Sequence, residues 1–391
     1  MKIKNIAWSF FFVFTSFVAY GEANLKHSYT EDGVIFSFYT DKNDLVLIEH
    51  KNGNYFVSEA IYNKGLKSVT HSYQLPWKPT HVDFFKDTNV TVISSSKKNS
   101  HEGVSNEILF VKNGKVTKKI TNAFGFTMSR DNLHAVTFEG KLSGNEFLLS
   151  FYDSKGKLVK QKQFNQSIRD TMGEYAIAPD LSAFTINLGS RDIGGMYKQV
   201  IYFGESFEEE LIIDFGGGDN LIYHVEPLSV NEYYVHASFK NRDKIFKFEK
   251  NKIVWEYELP FIKWINQLGL SSDFKYVIVA SNPGSFAVLD ASTGLHIIEH
   301  QLENLHLERS LNFLPSTRES LEFYIRKDKL FINEKNNNRL HTYSLKTNKL
   351  LKSVELPDSN HKHNIRQISY DGKQLKSFKP GGELHILDIS N

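Results

Sequence analysis

Residues 268–302 read LGLSSDFKYVIVASNPGSFAVLDASTGLHIIEHQL. Four short apolar or β-branched runs alternate there with three polar turns. Gln267–Leu270 is followed by Ser271-Ser272-Asp273, and the run 275–280 breaks at Asn282-Pro283-Gly284. The run 286–290 ends at Ser292-Thr293-Gly294, and 296–302 completes the set. Strand-length runs bounded by Gly, Pro, Asn, Asp and Ser predict an antiparallel meander. A four-stranded meander cannot bury both of its faces alone, so it needs neighbours of its own kind.

The rest of the chain supplies them. The same order of strands and turns recurs, with turns near Asp44, Asp87, Asp131, Asp180, Asn231, Asp273, Arg318 and Asp371. A spacing of about 40–50 residues with four strands per unit predicts a β-propeller. The expected fold is therefore all-β, with eight four-stranded blades. Seven is the alternative, if Arg318 and Asp371 belong to one irregular unit. Blade two is expected to end with a strand at 115–121 and blade three to begin with another at 124–129. Blade seven is expected at 311–314, 321–325, 339–345 and 350–356, with an insertion at 327–338. Blade eight is one strand short, and residues 24–30 are expected to complete it as an N-terminal strand that closes the ring and removes an open sheet edge.

The first 21 residues have a different character. Lys2 and Lys4 precede the apolar run 6–18, and Ala19 and Gly21 provide small residues before Glu22. That pattern predicts a signal peptide cleaved after Gly21, leaving residues 22–391 as one propeller domain without a stable membrane span. The expected location is periplasmic or extracellular. With no cysteine, an exported chain has no disulfides and relies on core burial, which its 391 residues permit. Removing Lys2 and Lys4 lowers Lys+Arg from 47 to 45, against 45 Asp+Glu. A neutral mature chain argues against nucleic acid as a partner.

Several segments resemble known propeller repeats. Val288-Leu289-Asp290-Ala291-Ser292-Thr293-Gly294-Leu295 resembles the "LD-x-x-TG" turn of PQQ-like and YVTN-type repeats, and Lys252–Tyr257 resembles the tryptophan-bearing fourth strand of the PQQ-like kind. Ser369-Tyr370-Asp371-Gly372 and Ala178-Pro179-Asp180 resemble the turn of TolB- and WD40-like repeats. The resemblance implies a propeller superfamily and carries no function with it. It raises a quinoprotein enzyme with an axial cofactor and calcium. The adjacent cysteines of the alcohol-oxidising members are absent and no carboxylate cluster stands out, so neither cofactor nor metal is expected.

Chemical motifs are sparse. His361 and His363 could share a metal on an extended segment, but nothing nearby completes a ligand set. The glycines at 216–218 could approach a phosphate, but no helix follows to receive it. No Gly-x-Ser-x-Gly or His-Glu-x-x-His run is present. In a propeller, the loops joining fourth strands to the next first strands, and second strands to third, gather on one face. That assignment collects Trp77, Arg169, Arg191, Trp264 and Arg309 there, and Trp with Arg is an interface composition. The sequence thus points to an exported, non-enzymatic binding or scaffold module whose loop face takes a partner protein or a cell-surface glycan. The alternative is a lyase or oxidoreductase working in the axial channel.

Overall fold

The computed structural model describes residues 21–22, 33–39, 45–63, 66–85, 88, 90–99, 103–129, 131–140, 146–165, 171–189, 197–205, 207–213, 221–239, 242–258, 267–271, 273–281, 285–301, 321–334, 338–356, 365–369, 371–378 and 384–389. Every helix or strand among them is a strand. Blade one runs Val34–Tyr39, Leu45–Lys51, Asn54–Asn63 and Leu66–Leu75. Blade four is Thr171–Ile177, Ala183–Gly189, Tyr197–Phe203 and Glu209–Ile213. Blade five is Leu221–Ser229, Glu232–Phe239, Arg242–Glu249 and Lys252–Glu258. Blade six, the stretch quoted above, forms Gln267–Leu270, Tyr276–Ser281, Ser285–Asp290 and His296–Gln301. Within each blade the strands pair antiparallel in sequence order. The molecule is an eight-bladed β-propeller.

Two blade boundaries differ from the sequence expectation. The strands expected at 115–121 and 124–129 are one strand, Lys115–Met128, which joins blades two and three into a seven-stranded sheet. The residues between them, Asn122 and Ala123, are not turn formers in tandem, and Ala123 is fully buried. In blade seven, 327–338 is no insertion. It holds the second strand, Lys329–Glu334, paired with Leu321–Arg326 across the Lys327-Asp328 turn. Its apolar core, Leu330-Phe331-Ile332, is buried, and the flanking charges obscured it. The expected strand at 311–314 and the turn markers Asp44, Asp87 and Arg318 lie outside the described residues. So do residues 24–30, and blade eight shows three strands among the described residues: Ile365–Ile368, Gln374–Phe378 and Leu384–Asp388. Gly21–Glu22 pairs in parallel with Val354 and Glu355 on the outer strand of blade seven.

The ring is held by eight apolar clusters, one at each interface between neighbouring blades. Strand faces alternate, so each blade feeds one set of side chains to the blade before it and the other set to the blade after it. The seam between blades eight and one joins Leu384 and Ile386 to Val34, Tyr39, Leu45 and Leu47. At that seam Nζ of Lys376, fully buried, lies 5.3 Å from the centre of the Tyr39 ring.

The turns between first and second strands explain the recurring aspartates. In blade six the Ser271 hydroxyl donates to Asp273 at 2.7 Å and accepts the Tyr276 amide at 3.0 Å. Ser129 with Asp131, and Ser369 with Asp371, repeat this arrangement at 2.6 Å each. The residue after the aspartate is left-handed in each described turn of this kind: Asn132, Leu181, Phe274 and Gly372 have φ of 59, 57, 58 and 73°. Leu and Phe are costly there. Leu181 recovers the cost by burial in the core, and Phe274 by packing against it.

The turn between third and fourth strands docks blades together. Asp290 accepts from the amides and hydroxyls of both Ser292 and Thr293. Gly294, at φ 72°, then presses its α-carbon onto Trp255 of the preceding blade. The indole N–H of Trp255 and the hydroxyl of Tyr234 both donate to the Ala291 carbonyl, at 3.3 and 3.0 Å.

Candidate functional site

The two ends of the ring are built differently. At one end, first-to-second and third-to-fourth turns are short and internally hydrogen-bonded, as Ser271–Tyr276 and Asp290–Leu295 show. At the other end longer stretches of sequence separate the described strands, at 166–170, 190–196, 214–220, 259–266, 302–320 and 357–364, all outside the described residues. Trp77 is at this second end, between Leu75 and Pro79. Its ring is half-buried against the core shared by blades one and two. The indole N–H donates to Glu107 Oε2 at 2.9 Å, and Lys119 Nζ lies 3.1 Å from the same oxygen. The carboxylate thus fixes the ring while leaving part of it exposed. Arg169, Arg191, Trp264 and Arg309 lie outside the described residues, as do His361, His363 and the glycines at 216–218, so Trp77 is the one predicted site residue whose surroundings are defined.

The axis of the ring holds a cavity of about 310 Å³, a feature that the sequence reading did not locate on particular residues. It is lined by the first strands of blades seven, eight, one and two, with Asn132 from the Ser129–His134 turn of blade three. The lining residues Tyr39, Phe84, Arg326 and Ile368 stand at the ends of their strands that lead into the short turns, so the cavity lies toward the end opposite Trp77. Among the described residues Asp83 is the only carboxylate of the lining. Its Oδ1 accepts the Phe84 amide at 2.8 Å and the Asn132 side-chain amide at 3.4 Å. Burial pushes its carboxyl up to about 6, and the Phe84 amide offsets this only in part. On the other flank Arg326 is oriented by the carbonyls of Ile325 and Ile368, at 2.9 and 3.4 Å. Phe38 and Phe84, both in the lining, stack at 4.7 Å, and burial raises the Tyr39 hydroxyl well above its ordinary value.

Further in the packed blades are paired histidines. His341 Nε2 lies 3.1 Å from Glu334 Oε2, and the Ser353 hydroxyl lies 3.0 Å from His341 Nδ1. A neutral ring protonated on Nε2 satisfies both contacts, donating to Glu334 and accepting from Ser353. The connectivity matches a hydrolytic relay. However, the three side chains are only 3%, 8% and 5% exposed in the order Glu334, His341, Ser353. They tie the second, third and fourth strands of blade seven together. In blade five His236 and Asp243, 3.4 Å apart, bracket the second-to-third connection in the same way. Among the described residues no group of three or more His, Cys, Asp or Glu could hold a metal ion, and no helix is long and apolar enough to cross a membrane.

No protein-family model and no curated protein matches the chain. Solved structures do. The C-terminal WD40 domain of Sif2 aligns with a TM-score of 0.59 at 12% identity, over 95% of this chain and 99% of that one. Sqt1 of Saccharomyces cerevisiae aligns at 0.56 and 11%, over 95% and 100%. A structure of a eukaryotic initiation factor aligns at 0.55 and 13%, over 92% and 86%. At such identities the likeness is one of fold, and the fold is a β-propeller.

Proposed function

We propose that this chain is an exported, non-enzymatic β-propeller that binds a partner protein or a cell-surface glycan through the face where the long connections gather. The observation that carries the reading is the asymmetry of the ring. Among the described residues one end shows short, hydrogen-bonded turns, while at the other end longer stretches of sequence separate most blades and the anchored Trp77 is partly exposed. Variable loops on a rigid frame are where binding surfaces are built, and a pre-positioned tryptophan loses little entropy on contact. Residues 1–21 serve as the cleaved signal peptide, and the site of action is the periplasm or the cell exterior. The docking of Trp255 on the Asp290–Gly294 turn supports repeats of the PQQ-like or YVTN kind. An enzyme in the axial channel is the weaker reading: among the described residues the hydrogen-bond partners of Asp83 are the Phe84 amide and Asn132, neither a carboxylate nor a nucleophile.

The test is capture from the exported fraction with the mature chain as bait, followed by affinity measurement with the purified partner. Ala substitutions at Trp77, Arg169, Arg191, Trp264 and Arg309 should each be compared with wild type at low and moderate salt. Losses of about tenfold or more at Trp77 and at least one arginine, with the arginine effects shrinking as salt rises, are the expected result. Unchanged affinity across all five folded variants overturns the assignment of the face.

A further inference from the structure

The axial cavity has its own chemistry, separate from the loop face. Both described hydrogen bonds to Asp83 end on Oδ1, so Oδ2 keeps its acceptor capacity. Asn132 donates through Nδ2, which leaves its Oδ1 to accept. Gln367 is partly exposed on the same wall and offers an amide that both donates and accepts. The apolar part of the lining includes Phe36 and Tyr324, each partly buried against a neighbouring core cluster and partly exposed.

Charge narrows the choice of occupant. Asp83 is on blade two and Arg326 on blade seven, with blades eight and one between them. A simple cation would meet a guanidinium on one flank, and a simple anion would meet a carboxylate on the other. A neutral ligand with several hydroxyls avoids both conflicts. Its hydroxyls can donate to Asp83 and Asn132 and accept from Gln367 and Arg326, while its C–H face rests on an aromatic ring. Cavities of roughly 300 Å³ are at the small end of ligand sites, a size that suits one sugar ring and no long chain.

We infer that the axial cavity is a binding site for a single neutral pyranose, held by Asp83, Asn132 and Gln367 against Phe36. The site lies toward the end of the ring opposite Trp77, so it can stand or fall independently of the loop-face reading.

The full-length chain should be titrated calorimetrically with D-glucose, D-galactose, D-mannose and N-acetyl-D-glucosamine. At least one should bind saturably at one per chain, and epimers should differ in affinity. Asp83→Asn should weaken that sugar about tenfold or more, the usual loss for a charged hydrogen bond, and Phe36→Ala should weaken it as well. Melting curves of both variants report whether the fold is kept. Gln367→Ala, at a partly exposed position, is the variant least able to disturb folding and should also bind more weakly. Affinity should fall as pH drops through about 6, because a protonated Asp83 loses its charge as an acceptor. Trp77→Ala should leave sugar binding unchanged. The proposal is overturned if no sugar binds at tens of millimolar, or if binding persists undiminished in Asp83→Asn and Gln367→Ala. Saturable binding of glycine or diglycine in place of sugars also overturns it and reassigns the cavity to a dipolar ligand.

Discussion

Gly294 sits so close to the Trp255 indole that a Cβ at position 294 would stand 2.6 Å from Cδ2 and 2.7 Å from Cγ. The contact joins the turn of blade six to the outer strand of blade five, and it permits no side chain. Gly294→Ala is therefore expected to cost about 2 kcal/mol or more, combining left-handed strain with a clash against a ring that cannot retreat. Gly53 separates the two causes. It is also left-handed, at φ 78°, but a Cβ there meets nothing within 4 Å, so Gly53→Ala should cost only about 1 kcal/mol. Urea denaturation of both variants checks the difference, and equal costs would mean that the indole contact adds nothing.

Asp290 ties the same turn to pH. The Ser292 hydroxyl, supported by Thr293, holds its carboxyl below the usual carboxylate range, and slight burial opposes this. A carboxylate depressed in the fold contributes stability fully above its unfolded value of about 3.9, and loses it as pH falls through the folded value. Asp290→Asn should thus be less stable than wild type at pH 7, with the gap narrowing toward pH 2.5. A gap that stays constant across that range would detach the effect from ionisation.

The Glu334–His341–Ser353 network predicts unequal costs. His341→Leu leaves a buried carboxylate without its imidazole partner and should destabilise by about 3 kcal/mol. Ser353→Ala removes one hydroxyl contact and should cost about 1 kcal/mol. Thermal melts of the two variants give the order. A reversed order would place the importance of the network in the hydroxyl.

Lys376 provides a test at alkaline pH. Complete burial holds its amine well below the ordinary lysine value, so the unfolded chain binds the proton more tightly than the fold does. Stability should then rise with pH from the folded value up to about 10.4. Lys376→Met should remove that rise and be more stable than wild type at neutral pH. Parallel pH profiles for the two proteins would contradict this.

Local chemistry was legible in the sequence, and ring geometry was not. Asp131, Asp180, Asp273 and Asp371 mark hairpins because their carboxylates cap amides two residues away, which any short window contains. Leu330-Phe331-Ile332 was hidden because three apolar residues between charges look the same in a loop as in a strand until a partner strand is found. Trp77 was recognised as a loop residue, but its fixing by Glu107 spans 30 positions of sequence. The axial cavity is the extreme case. Asp83 and Arg326 share one space only after the ring has closed, and no pattern within either strand says which residues face the axis.

The seam between blades eight and one has a kinetic consequence. Seven of the eight interfaces join segments that follow each other along the chain, and blades two and three even share the unbroken strand Lys115–Met128. Those contacts close short loops early. The eighth interface must bring Leu384 and Ile386 to Val34 and Leu47, and so carries the largest closure entropy in the molecule. Assembly should run outward from the fused pair, with the seam forming last. Unfolding should begin where Lys376 is buried beside Tyr39, long before the shared strand gives way.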